Sequence, residues 1–141
     1  MNTDFSAPDD RDGRGLRPQQ DQSNDAAPVV WDRAGMMDRL MEDEELVDAV
    51  LQEFLLDLPD QVEQLQRSVR EEDPSQVGRR AHCIKGMAAN VGAEALRAFA
   101  YELEQAGDAG DMGLIRRGIA ALPALCEETQ AVIRQHLGEG A

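Results

Sequence analysis

Positive charge is scarce in this chain. Against 28 Asp and Glu, its 141 residues carry only 14 Lys and Arg, a formal net charge of -14. That imbalance excludes a nucleic-acid binder and a protein drawn to anionic membrane surfaces, and it leaves protein partners as the compatible class. Aromatic residues make up 4% of the chain. With so few of them, and with Leu, Ala, Val, Met, Glu, Gln and Arg abundant, helix is favoured over sheet. No apolar run reaches the roughly 18 residues of a membrane span, and no basic N-terminal region leads into an apolar stretch. A cytoplasmic, unexported protein is expected. The two cysteines, Cys83 and Cys126, are far apart and follow no metal-ligand spacing. Reduced thiols are expected, with no metal and no cofactor.

What is present divides into a tail and one domain. Residues 1–28 contain Asp, Gln, Arg, Pro, Gly, Ser and Asn with few large apolar groups. Such a stretch cannot bury enough surface to offset the entropy of ordering it, so a disordered tail is expected there. Apolar residues first cluster at Pro28-Val29-Val30-Trp31, and residues 29–141 read as the folded domain.

That domain has helical punctuation throughout. Asp32 can cap a short helix bearing Met36, Met37 and Leu40, with Met41 as a further core or capping residue. A long helix starting near Asp43 shows apolar residues at spacings of three and four, from Leu46 and Val47 to Val69. Pro59 lies inside it and predicts a kink. Asp73-Pro74 places a capping residue before a proline suited to the first helical position, and Gly92 can end that helix in a left-handed conformation. A fourth helix is expected over 93–106, a loop over Gly107–Asp111, and a fifth helix to Gly138 with a bend at Pro123. Its buried residues should be Ile115, Ile119, Leu122, Cys126, Thr129 and Ile133. The fold class expected is all-α: an antiparallel up-down-up-down four-helix bundle with a short N-terminal capping helix.

The scarcest charged residue is lysine. Lys85 is the only one in the chain, and it follows one of two histidines by three positions, in Ala81-His82-Cys83-Ile84-Lys85-Gly86. On a helix, His82, Lys85 and Gly86 share a face. Ala81 belongs to the core stripe, so His82, turned about 100° from it, points to the surface. Gly78 and Gly86 lie one turn to either side, and Ala89 a turn further. Two glycines inside a helix cost roughly 1 kcal/mol each relative to alanine. A purely structural helix gains nothing for that cost, whereas a flat surface that admits a partner's backbone does. Between Pro74 and Ala93 there is no acid, yet Arg79, Arg80 and Lys85 are present. This local positive island suits an acidic pocket or a phosphorylated carboxylate, and Lys85 can donate to phosphoryl oxygens as charge shifts onto the group in transit.

These residues match a known pattern. The run Ala81-His82-Cys83-Ile84-Lys85-Gly86-Met87-Ala88-Ala89-Asn90-Val91-Gly92 resembles the histidine-containing phosphotransfer (HPt) domain of two-component phosphorelays. Trp31-Asp32, Glu53-Phe54-Leu55 to Leu58-Pro59, and Leu103-Glu104 extend the likeness over about 29–137. The resemblance implies a four-helix bundle whose exposed histidine takes phosphate from a receiver domain's aspartyl phosphate and passes it to another receiver. His82 would be the phosphoacceptor and Lys85 the phosphate-stabilising group. Gly78, Arg79, Gly86 and Ala89 would form the docking surface, with Glu104 as the histidine's neighbour. The domain would then be a carrier rather than an enzyme, with catalytic carboxylates and magnesium on the receiver. The implied partners are response-regulator receivers and a hybrid histidine kinase, and a monomer is expected. Cys83 and Met87 depart from the usual Thr and Ser, which bears on receiver preference.

Two other classes compete. An autophosphorylating histidine kinase is disfavoured, because Cys83 stands where an acidic base would follow the histidine and no glycine-rich nucleotide-binding domain follows. The serious alternative is a non-phosphorylated helical adaptor that binds receiver or kinase domains. A zinc site using His82, Cys83, Cys126 and His136 lacks any supporting spacing. His136, in the last turn of the last helix, is expected to complement the helix dipole.

Overall fold

The computed structural model describes residues 27–138, and within them the chain forms six helices and no strands. The tail expected over 1–28 falls almost wholly outside the described residues, as do residues 139–141 of the domain. The helices are α1 (Arg33–Arg39), α2 (Glu44–Arg70), α3 (Pro74–Val91), α4 (Glu94–Asp108), α5 (Met112–Ile119) and α6 (Leu122–Leu137).

Local chemistry explains where most of them start and stop. Asp32, Asp43, Asp73 and Asp111 each accept a hydrogen bond from a backbone N–H three residues on, at 3.0, 3.1, 3.2 and 3.0 Å. Each carboxylate thereby satisfies one of the orphan donors of a first helical turn. Glu44 and Glu45 occupy the first turn of α2 and Arg67 and Arg70 its last, both favourable for the helix dipole. Gly92 and Gly138 close α3 and α6 in the left-handed region, at φ 83° and 80°.

α2 runs unbroken through Pro59 for 27 residues. Its buried residues Val47, Leu51, Phe54, Leu58 and Leu65 hold it to the core on both sides of the proline, whose ring faces solvent. Leu46, expected in that stripe, is 44% exposed in the first turn of α2. Met36 and Met37 are buried as expected. Met41 instead stands exposed in the α1–α2 turn, where it and Glu42 both take left-handed backbone conformations, at φ 59° and 60°.

The structure corrects the C-terminal half. The expected fifth helix is two helices, α5 and α6, interrupted at Ala120–Ala121. A proline ring clashes with the carbonyl four residues earlier, which for Pro123 is Ile119, the last residue of α5. The helix stops there and restarts with Pro123 in its first turn, where no intrahelical N–H is needed. α2 overrides its proline because a long buried stripe holds it. α5 has only Ile115 buried, and Ile119 is half-exposed rather than core. The expected loop over Gly107–Asp111 is also shorter, since α4 continues through Asp108.

The core gathers Met36, Leu51, Leu58, Leu65, Val77, Ile84, Val91, Leu96, Ile115, Leu122 and Ile133, all almost fully buried. α3 packs most extensively on α4 and next on α2. The entering segment is tied down at the α3–α4 turn. Asp32 N–H donates to Gly92 O, Ala95 N–H to Val29 O and the Trp31 indole N–H to Val91 O, each at 2.8 Å. The Trp31 ring meets His136 edge-on at 5.2 Å, and His136 Nε2 donates to Asp48 Oδ1 across 3.2 Å. His136 thus clamps α6 to α2 and to the entering segment, besides lying in the last turn of its helix.

Candidate functional site

α3 is placed by its buried face, Val77, Ala81, Ile84, Ala88 and Val91. The opposite ridge exposes Arg79, His82, Cys83, Gly86, Ala89 and Asn90. The His82 side chain is 65% exposed, turned outward as its position beside Ala81 requires.

α4 brings the second half of the site. Leu96, Ala100 and Leu103 bury its inner face. Glu104, the residue after Leu103, therefore lies at the edge facing α3, with its side chain only 15% exposed. Its carboxylate spans two partners. Oε2 lies 2.8 Å from Nδ1 of His82, and Oε1 lies 2.6 Å from Nζ of Lys85. Lys85 also sits over the ring of Tyr101, 5.4 Å from its centre, a cation–π contact. Sequence reasoning did not identify Tyr101. An aromatic one turn before Glu104 is the signal that would have found it.

The electrostatics settle the imidazole's orientation. The Lys85 ammonium, chiefly, holds the Glu104 carboxyl below its ordinary value of 4.5; burial opposes this, and His82 adds a smaller lowering. At neutral pH Glu104 is ionised and can only accept hydrogen bonds. His82 therefore carries its proton on Nδ1 and donates it to Glu104, which leaves the Nε2 lone pair free. A fixed tautomer with an outward nucleophilic nitrogen is what group transfer to histidine requires.

This network has a pH signature. Because the folded Glu104 pKa is lowered, its contribution to stability is present above the ordinary carboxylate value and is lost as pH falls through the folded value. Glu104→Gln should therefore flatten the acid limb of stability against pH. Urea unfolding of both proteins at a series of acidic pH values checks this; parallel limbs would show that the carboxylate does not couple to folding.

Two glycines of α3 behave differently. A Cβ built on Gly86 meets nothing within 4 Å, so this side of the ridge is open. Gly78, expected on the docking surface, is buried. Gly107 of α4 packs on it so closely that a Cβ on Gly107 would lie 2.6 Å from Gly78 N and 2.7 Å from Gly78 Cα. A Cβ on Gly78 itself would meet the Asp108 carboxylate at 3.0 Å and α4 backbone only at 3.6–3.7 Å, so α4 covers this position and the close approach depends on the missing side chain of Gly107. Gly107 escaped sequence reasoning because the turn-like run Gly-Asp-Ala-Gly-Asp disguised it as loop.

Glu104 brings His82 and Lys85 together, and Arg79, Gly86 and Ala89 are exposed along the same ridge of α3. Cys83 is exposed beside His82, whereas Cys126 is buried and its thiol is pushed up to about 11, which keeps it protonated and inert. Among the described residues no group of three or more His, Cys, Asp and Glu could hold a metal ion, and no helix is long and apolar enough to cross a membrane.

A family model for the Hpt domain matches residues 49–132, from the second turn of α2 to near the end of α6. No curated protein and no solved structure matches the chain. The match covers more than half of the chain and contains His82, Lys85 and Glu104, although Trp31, Asp48 and His136 lie outside it. Domains of this kind are phosphocarriers in two-component signalling that interact with receiver and kinase domains. With an exposed histidine on an all-helical scaffold and a family match across its core helices, the chain belongs to the Hpt domain family.

Proposed function

We propose that this chain is a phosphorelay intermediate in which Nε2 of His82 takes a phosphoryl group from the aspartyl phosphate of one receiver and delivers it to another. The observation that carries this reading is the Glu104 carboxylate shared between His82 Nδ1 and Lys85 Nζ. In the transfer, the Nε2 lone pair forms the N–P bond as the O–P bond to the receiver's aspartate breaks, and the bonding pair leaves with that carboxylate. Positive charge develops on the imidazole, and Glu104 stabilises it through the Nδ1 proton. Lys85, paired with the same carboxylate, adds positive charge beside the group in transit. Positioning and charge stabilisation dominate such chemistry, and the receiver brings the magnesium and catalytic carboxylates.

In this reading α2, α3, α4 and α6 form the antiparallel bundle, α1 caps one end, and the chain works as a cytoplasmic monomer. A hybrid histidine kinase feeds the relay. The test is to mix the protein with phosphorylated receivers and look for acid-labile, base-stable phosphate on His82. Binding of a receiver with no phosphate uptake would instead establish a non-phosphorylated adaptor.

Gly86 provides a separable check on docking. Open space above it and the better helix propensity of alanine make Gly86→Ala more stable by about 0.5–1 kcal/mol. A bulkier Gly86→Gln should still fold but slow transfer from a receiver by about tenfold, or ~1.4 kcal/mol. Its labelling by phosphoramidate, a small donor that needs no docking, should be unchanged. Equal receiver transfer by Gly86→Gln and the parent would remove Gly86 from the interface.

A further inference from the structure

Lys85 is not a free cation. Its ammonium is held by Glu104 at 2.6 Å and over Tyr101, and its side chain is only 27% exposed. Arg79 stands one turn before His82 on the same ridge, is exposed, and makes no ion pair with the other described residues, in a chain rich in carboxylates. The space beside the imidazole lies on the arginine side. A groove of about 900 Å³ between the first half of α3 and the end of α4 is lined by His82, Arg79, Arg80 and Cys83 and by the acidic Glu104 and Asp108, and Lys85 does not border it.

The direction of the imidazole agrees with that asymmetry. Helix side chains lean toward the N-terminus of their helix, which carries the His82 ring over the turn that holds Gly78 and Arg79. Nδ1 is committed to Glu104, so the reacting nitrogen is the one turned from that bond. A phosphoryl group there carries close to two negative charges near a guanidinium that no other described residue pairs with, and whose planar fork suits phosphate oxygens.

We infer that Arg79 is a second phosphoryl-binding cation of the site, closing over the phosphate on His82 from the groove side while Lys85 remains largely committed to Glu104. This rests on the phosphotransfer reading above. It assigns Arg79 a contact with the transferred group itself, beyond a place on the docking surface. Arg80 stands two residues before His82, a spacing that does not put the pair on one helix face, and it also borders a second groove lined by Asp60, Glu63, Glu71 and Asp73. It therefore serves as a control.

The test uses the full chain labelled with phosphoramidate, with the phosphohistidine ³¹P signal followed against pH. A guanidinium in contact lowers the second ionisation of the phosphoryl group, so Arg79→Ala should raise it by roughly half a unit or more. Arg79→Lys should restore most of the shift, and Arg80→Ala should leave the titration where it is. An unmoved titration in Arg79→Ala overturns the inference, even if transfer from a receiver slows, since that result makes Arg79 a docking residue only. Failure of the parent protein to label at His82 would be a different result, because it removes the phosphotransfer reading and this inference with it.

Discussion

Replacing His82 with glutamine should abolish phosphate uptake and leave the fold intact. The side chain is 65% exposed, so its truncation opens no cavity. The glutamine amide can still donate toward Glu104, which keeps the carboxylate partnered. Stability should change by no more than about 0.5 kcal/mol, as for surface positions generally. Function should change completely. An amide nitrogen has no available lone pair, and the chain's other histidine, His136, is engaged with Asp48 of α2, away from this ridge. Phosphate retained after receiver mixing should fall to background, and urea unfolding should superimpose on that of the parent. If His82→Gln accepts phosphate as well as the parent, the acceptor has been misassigned.

Adding a single methyl group at Gly107 should have the opposite profile, with a large loss of stability far larger than its chemical size suggests. A Cβ there would lie 2.6 Å from Gly78 N, 2.7 Å from Gly78 Cα and 2.7 Å from Pro74 O. All three are backbone atoms, so no side chain can swing aside, and α3 and α4 must separate. Overpacking of that kind costs about 1–3 kcal/mol, and more where backbone has to move. Alanine's better helix propensity returns only about 1 kcal/mol. Gly107→Ala should therefore be less stable by up to about 2 kcal/mol in net terms, and Gly107→Val by more. The separation should also disturb the site, because Glu104 lies one turn before Gly107. Phosphoramidate labelling of His82 should slow along with the loss in the urea midpoint. Unchanged stability in Gly107→Ala would mean that the α3–α4 contact tolerates expansion.

The contrast between Gly107 and Gly86 shows how much of the site was legible from residue order. Both glycines sit in helices. One has open space where a Cβ would go, and the other faces backbone. Spacing alone assigned Gly78 and Gly86 to the same docking face, since each lies one turn from His82. It could not show that α4 crosses over the first of them. The same ambiguity split the prolines. Pro59 and Pro123 are equally strong breakers locally, but the buried residues flanking Pro59 hold α2 together, and nothing comparable spans Ile119 to Leu122.

The resemblance that pointed to Glu104 named a neighbour of the histidine, but not what it does there. One carboxylate fixes the imidazole's tautomer and simultaneously engages the lysine, and that follows from the 2.8 Å and 2.6 Å contacts, not from any spacing. Lys85 itself was conspicuous in the sequence as the sole lysine, and it reads there as a free phosphate ligand. In the fold it is occupied.

Residue order by itself determined the helical class, the caps at Asp32 and Asp73, the glycine stops of α3 and α6, and the outward direction of His82. These follow from interactions within a turn or two of one helix, where period and capping chemistry suffice. The partnership of His82 with Glu104, the burial of Gly78 beneath Gly107, and the interruption before Pro123 were decided only by tertiary structure. Each depends on which helix crosses which, and at what distance. That is set by the packing of whole buried faces, which no local pattern encodes.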